Sequence, residues 1–157
     1  MNKIVSMNAL IPLIREQIEN GGEVIFTPKG ISMMPLLRDN KDTVTLKKAE
    51  MPLKKYQIAL YERKNGKHVL HRVVGVKDNC YLMRGDNQFF DEAGIKNEQI
   101  IAVVSEFTRK GSKYKCDEKR YRLYCVLWVN TVIVRRLLRK IKRFAGRVKR
   151  RVLRIFR

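Results

Sequence analysis

Short β-rich runs at Glu23 to Thr27, Thr43 to Leu46, Gln57 to Glu62, His68 to Val76, Tyr81 to Met83 and Ile100 to Phe107 are separated by Asn, Gly and Asp turns, with no helical pattern between them. Strands so closely spaced predict a mainly β chain built as a compact antiparallel sheet or barrel. Asn65-Gly66, between two of the runs, is a strong hairpin signal. Ahead of the strands, Ala9, Leu10, Leu13, Ile14 and Ile18 follow helical spacing and Asn20-Gly21-Gly22 is a stop signal, which predicts a short N-terminal helix covering one side of the domain. The 157 residues fit one domain with an appendage and no second enzyme domain.

The net charge of +20 is distributed unevenly, because no acidic residue follows Glu118 and twelve basic residues lie between Arg135 and Arg157. From about Asp117 the pattern turns helical, with Val134, Leu138, Ile141, Ala145, Val148, Val152 and Ile155 at three- or four-residue steps and Arg and Lys on the opposite face. These features divide the chain into a β-rich domain over 1–116 and a basic amphipathic helical tail over 117–157. Cys80, Cys116 and Cys125 are odd in number and lack C-x-x-C spacing, so they indicate neither a disulfide framework nor zinc and suit a reducing compartment. Pro12 and Arg15 interrupt the N-terminal apolar run and no small-residue cleavage site follows, which argues against a secretory signal. The longest apolar stretch, Tyr124 to Val134, contains Asn130 and falls well short of the ~20 residues that cross a bilayer.

Chemistry concentrates in three clusters, each beside a strand-like run. In Thr27-Pro28-Lys29-Gly30-Ile31-Ser32-Met33-Met34-Pro35 a lone serine sits in a Gly/Pro-framed turn that can present its hydroxyl at a bend. His71-Arg72-Val73-Val74-Gly75 and Arg84-Gly85-Asp86-Asn87 follow, so a nucleophile, a base and a carboxylate are all available. If residues 68 to 76 form one strand, His68 and His71 point to opposite faces and only one of them can face Ser32.

The three clusters in this order, G-x-S-M-x-P, R-V-V-G and G-D-N, resemble the clan of serine peptidases that includes type I signal peptidases and the self-cleaving SOS repressors, over roughly residues 22 to 108. Histidine before R-V-V-G makes the chain similar to the Ser-His branch of that clan. The resemblance implies a serine endopeptidase acting on a peptide or protein precursor, with Ser32 as nucleophile, His71 as general base and no metal or organic cofactor. Asp86 ranks first as the group that orients His71, with Asp91 second and Glu92 in the same region. Gly30 and Met33 border the oxyanion and substrate site. An unperturbed imidazole predicts activity rising through about pH 6–7.

The basic tail suits a peripheral position on the cytoplasmic face of a membrane, with Arg135, Arg136, Arg139, Lys140 and Arg143 on anionic lipid and the apolar face in the headgroup layer. Nucleic acid is the rival partner for the same charges. The alternative function, from a different class, is a catalytically silent peptidase-fold module that binds membrane or nucleic acid through this tail.

Overall fold

The computed structural model describes the backbone from Met7 to Ile155 and the side chains from residue 9 to 145; those of Val148, Val152 and Ile155 in the tail pattern lie outside the described residues. Helix α1 spans Met7–Glu19 and closes where the sequence places its stop. Gly21 adopts φ +77°, and the N–H groups of Gly21 and Gly22 donate to Ile18 and Gln17 carbonyls, which satisfies the last turn. Eight strands follow: β1 (Val24–Phe26), β2 (Thr43–Lys47), β3 (Ile58–Glu62), β4 (His68–Lys77), β5 (Cys80–Arg84), β6 (Glu92–Ile95), β7 (Ile100–Arg109) and β8 (Ser112–Lys115). They form one antiparallel sheet in the open order β1-β2-β7-β3-β4-β5-β6, with β8 added to β7.

The hairpin of β3 and β4 turns at Asn65-Gly66, where Gly66 takes φ +74° and Asn65 Oδ1 accepts the Lys67 N–H. Its register pairs Ala59 with His71 and Ile58 with Arg72. β3 is buried on both faces, since Ile58 and Leu60 enter one apolar cluster and Ala59 and Tyr61 enter the other. On β4, Leu70 belongs to the first cluster and Val73 to the second, so His71 and Arg72 leave the sheet on opposite sides. α1 covers the first cluster with Ile11, Ile14 and Ile18.

Helices α2 (Lys119–Asn130) and α3 (Val132–Ile155) complete the chain. A boundary at residue 117 does not separate a tail from the domain, because Tyr121 and Cys125 of α2 are buried in the first cluster beside Phe107 and Leu36. On α3, Ile133, Leu137, Leu138, Ile141 and Phe144 are all more than half exposed. No helix among the described residues is long and apolar enough to cross a membrane.

Candidate active site

The three motifs meet at Gly85. A Cβ built there would stand 2.7 Å from the Ser32 carbonyl oxygen and 3.1 Å from His71 Nε2, so the Ser32 turn and the imidazole both press against a residue that must lack a side chain. Asn87 fastens the junction: its N–H donates to the Ser32 carbonyl at 2.8 Å and its side-chain amide to the Ile31 carbonyl at 3.1 Å. Gly85→Ala is therefore expected to displace the turn, lowering stability by roughly 1–3 kcal/mol and slowing any reaction at Ser32. Denaturation and the labelling rate of Ser32 by a serine-reactive probe would check this, and an unshifted midpoint with full labelling would contradict it.

Ser32 is partly exposed at a cavity of about 100 Å³ whose walls include Phe26, Gly30, Leu60, His68 and Leu70. Among the described residues Ser32 Oγ makes no hydrogen bond, and its backbone N–H is likewise unengaged. Gly30 is open, with φ +112° and nothing within 4 Å of a built Cβ, and its N–H is held by Asp39 Oδ1 at 2.6 Å. That amide stabilises the turn, which leaves the Ser32 N–H as the unbonded donor beside it among the described residues. Met33 is 4% exposed and packs in the core with Leu36 and Leu37, so it supports the cavity from below.

His71 is buried, and its Nδ1 lies 3.2 Å from the Tyr61 hydroxyl, which donates its proton to Glu92 Oε2 at 2.8 Å. Arg63 grips Glu92 in turn, with Nη2 at 2.6 Å from the same oxygen. Burial alone would raise the Glu92 carboxyl, but the hydrogen bonds from Arg63 and Tyr61 outweigh it and hold it below the usual carboxylate range. Burial first, and then Glu92, raise the Tyr61 phenol, which keeps its proton. An ionised Glu92 can only accept, so the single Tyr61 proton goes to it and the phenol oxygen accepts Nδ1–H from His71. Nε2 is left as the basic nitrogen, on the side facing Gly85 and the Ser32 turn.

Neither aspartate proposed to orient His71 does so. Asp86 gives Oδ1 to Arg72 Nε and Oδ2 to Arg72 Nη2, both at 2.8 Å, in an ion pair that is almost wholly buried. The alternation of β4 carries Arg72 to the face opposite His71, and Asp86 follows its partner there. Asp91, itself exposed, pairs with the buried Arg84 at 2.9 Å. The orienting group is Tyr61, backed by Glu92 and Arg63. Sequence reasoning missed Tyr61, although the hairpin turn sets Ala59 opposite His71 and so brings Tyr61 to a diagonal position on the same face. His68 does leave β4 on the other face from His71, yet it lines the Ser32 cavity and lies 3.6 Å from Glu62, so both histidines end near the serine.

Of the tail residues, Arg136, Lys140 and Arg143 are exposed, whereas Arg135 is half-buried and donates to the carbonyls of Asp86 and Trp128. No protein-family model matches the chain, and no curated protein matches it either.

Proposed function

We propose that this chain is a serine endopeptidase of the signal-peptidase type, with Ser32 as nucleophile and His71 as general base, acting on a peptide or protein precursor at an anionic membrane surface. The observation that carries the reading is the Arg63–Glu92–Tyr61–His71 relay, which fixes one imidazole tautomer and leaves Nε2 unprotonated beside the serine turn. As Ser32 Oγ attacks a carbonyl, Nε2 takes its proton, and the imidazolium then returns it to the leaving amine. Water, deprotonated by the same nitrogen, hydrolyses the acyl-enzyme and restores the serine. Imidazolium formed in this way is stabilised through Tyr61 by the Glu92 carboxylate. The small cavity beside Ser32 favours a short side chain next to the scissile bond.

The test is a fluorophosphonate probe followed by peptide mapping. Labelling at Ser32 that disappears in Ser32→Ala supports the peptidase. Absence of labelling in the folded chain supports the second reading, a silent binding module, which the unbonded Ser32 Oγ favours.

The environment of His71 also sets the pH dependence. Burial first, then the Arg63 charge, lower the imidazole from 6.5 to about 4, against opposing contributions from Glu92 and Asp86. The labelling rate of Ser32 is therefore expected to rise through about pH 4 and to be level by neutrality, well below the pH 6–7 predicted for an unperturbed imidazole. Between those two values the unfolded chain binds a proton at His71 that the folded chain does not, so stability falls as pH drops from 6.5 towards 4. Tyr61→Phe removes the acceptor of Nδ1–H and should slow labelling by about tenfold or more with little loss of fold. An inflection that stayed near pH 6.5, with Tyr61→Phe as reactive as the parent, would sink the relay.

A further inference from the structure

We propose that Arg135 and Arg139 form a phosphate site for an anionic lipid headgroup at the root of α3, directly beside the nucleophile turn. The two guanidinium groups line a cleft of about 300 Å³ with Met34, Pro35, Phe89 and Trp128. Arg135 lies over the Trp128 ring, its Cζ 3.9 Å from the centroid, and Arg139 Cζ stands 4.4 Å from the centroid of Phe89. Backbone carbonyls of Asp86 and Trp128 fix Arg135 at 3.1 and 2.7 Å, and Asn87 Oδ1 accepts Arg139 Nη2 at 2.6 Å.

Every one of these partners is uncharged. Among the described ion pairs neither arginine has a carboxylate, although Asp42, Asp86, Asp91 and Glu92 each neutralise another arginine. Arg135 Nε is buried without a hydrogen-bond partner among the described residues. Two preorganised cations thus line one small cleft with a donor left unbonded and no ion-pair partner among the described residues. A phosphate, with several acceptor oxygens and planar recognition by guanidinium, is the anion that this arrangement fits.

The lipid source follows from what the cleft adjoins. α3 carries exposed Arg136, Lys140 and Arg143 together with exposed Leu137, Leu138, Ile141 and Phe144, a composition that lies down on an anionic bilayer. A headgroup held by Arg135 and Arg139 would join that helix to the catalytic turn, since Met34 and Pro35 form one side of the cleft and Asn87 bonds both Arg139 and the Ser32 carbonyl. The proposal builds on the membrane-surface reading, but binding at the cleft requires no reaction at Ser32.

Trp128 is the one tryptophan of the chain, so its fluorescence reports occupancy directly. The full chain would be titrated with dihexanoyl phosphatidylglycerol below its micelle concentration, with dihexanoyl phosphatidylcholine and with inorganic phosphate. The expected result is a saturable change with phosphatidylglycerol that is at least about tenfold weaker with the other two. Arg139→Gln, at an exposed position, should weaken it by about tenfold or more, while the double variant Lys140→Gln/Arg143→Gln, which removes more charge, should leave it within about twofold. No change with phosphatidylglycerol, or equal weakening in both variants, would overturn the site in favour of diffuse attraction by the helix. Inorganic phosphate binding as tightly as the lipid would overturn the lipid assignment, as would a short RNA that displaces the lipid at lower concentration. Ser32 labelling is read separately, so failure here and failure of the peptidase reading are distinguishable.

Discussion

His71→Ala is expected to slow acylation of Ser32 by about 10³-fold or more, because an unassisted serine hydroxyl holds its proton and the proposed base is the His71 imidazole, whose Nδ1 is held by Tyr61 and whose Nε2 faces the Gly85 junction. His68→Ala is expected to act differently. His68 lines the cavity that would receive the substrate, so its loss should raise KM for a peptide and leave kcat nearly unchanged. Both variants should remain folded, which circular dichroism would check. The reverse ranking, with kcat collapsing in His68→Ala and surviving in His71→Ala, would move the base to the other face of β4 and dismantle the Tyr61 relay as its support.

Asp86→Ala is expected to cost about 3–5 kcal/mol of stability, since it strands the Arg72 guanidinium in the core. Arg72 is wholly buried and Asp86 3% exposed, so solvent does little to screen the pair. Burial alone would lower the Arg72 guanidinium, but the Asp86 pairing outweighs it and raises the group well above its ordinary value. Arg72 also donates to the Tyr56 carbonyl and the Tyr121 hydroxyl, while Trp128 and Arg135 donate to the Asp86 carbonyl. The pair therefore ties β4, the Gly85 turn, α2 and α3 together. Denaturant titration checks the cost, and Asp86→Leu with Arg72→Met should recover part of it by removing both charges. A variant Asp86→Ala that kept its stability within about 1 kcal/mol while losing Ser32 reactivity would restore Asp86 as the orienting carboxylate.

The same ties change what removal of the basic segment does. Charge and periodicity present residues 135–157 as separable from a site that ends near residue 108. Arg135 and Arg139, however, bond the carbonyl of Asp86 and the side chain of Asn87, and Asn87 holds the serine turn. A truncation at residue 134 removes supports of the Gly85 loop as well as twelve basic residues.

Local chemistry by itself determined the antiparallel β architecture, the leading helix, the Asn65-Gly66 hairpin and the three clusters that carry Ser32, His71 and Gly85. Turn residues and apolar alternation act within a few positions of the chain, so these features are readable without knowing what packs against them. β6 and β8 were not readable. Glu92–Ile95 includes Gly94 at φ +78°, Ser112–Lys115 is exposed throughout, and both are strands only because the edges of β5 and β7 offer them hydrogen bonds. The carboxylate assignment was decided at the same level. Asp86, Asp91 and Glu92 are close in sequence and alike in chemistry, and what separates them is which arginine each one meets. Arg72, on the face of β4 opposite His71, claims Asp86; Arg84 claims Asp91; Arg63, across the hairpin, holds Glu92 where Tyr61 can reach it. A buried charge goes to the nearest countercharge that the packed sheet supplies, and that distance exists only in the tertiary structure.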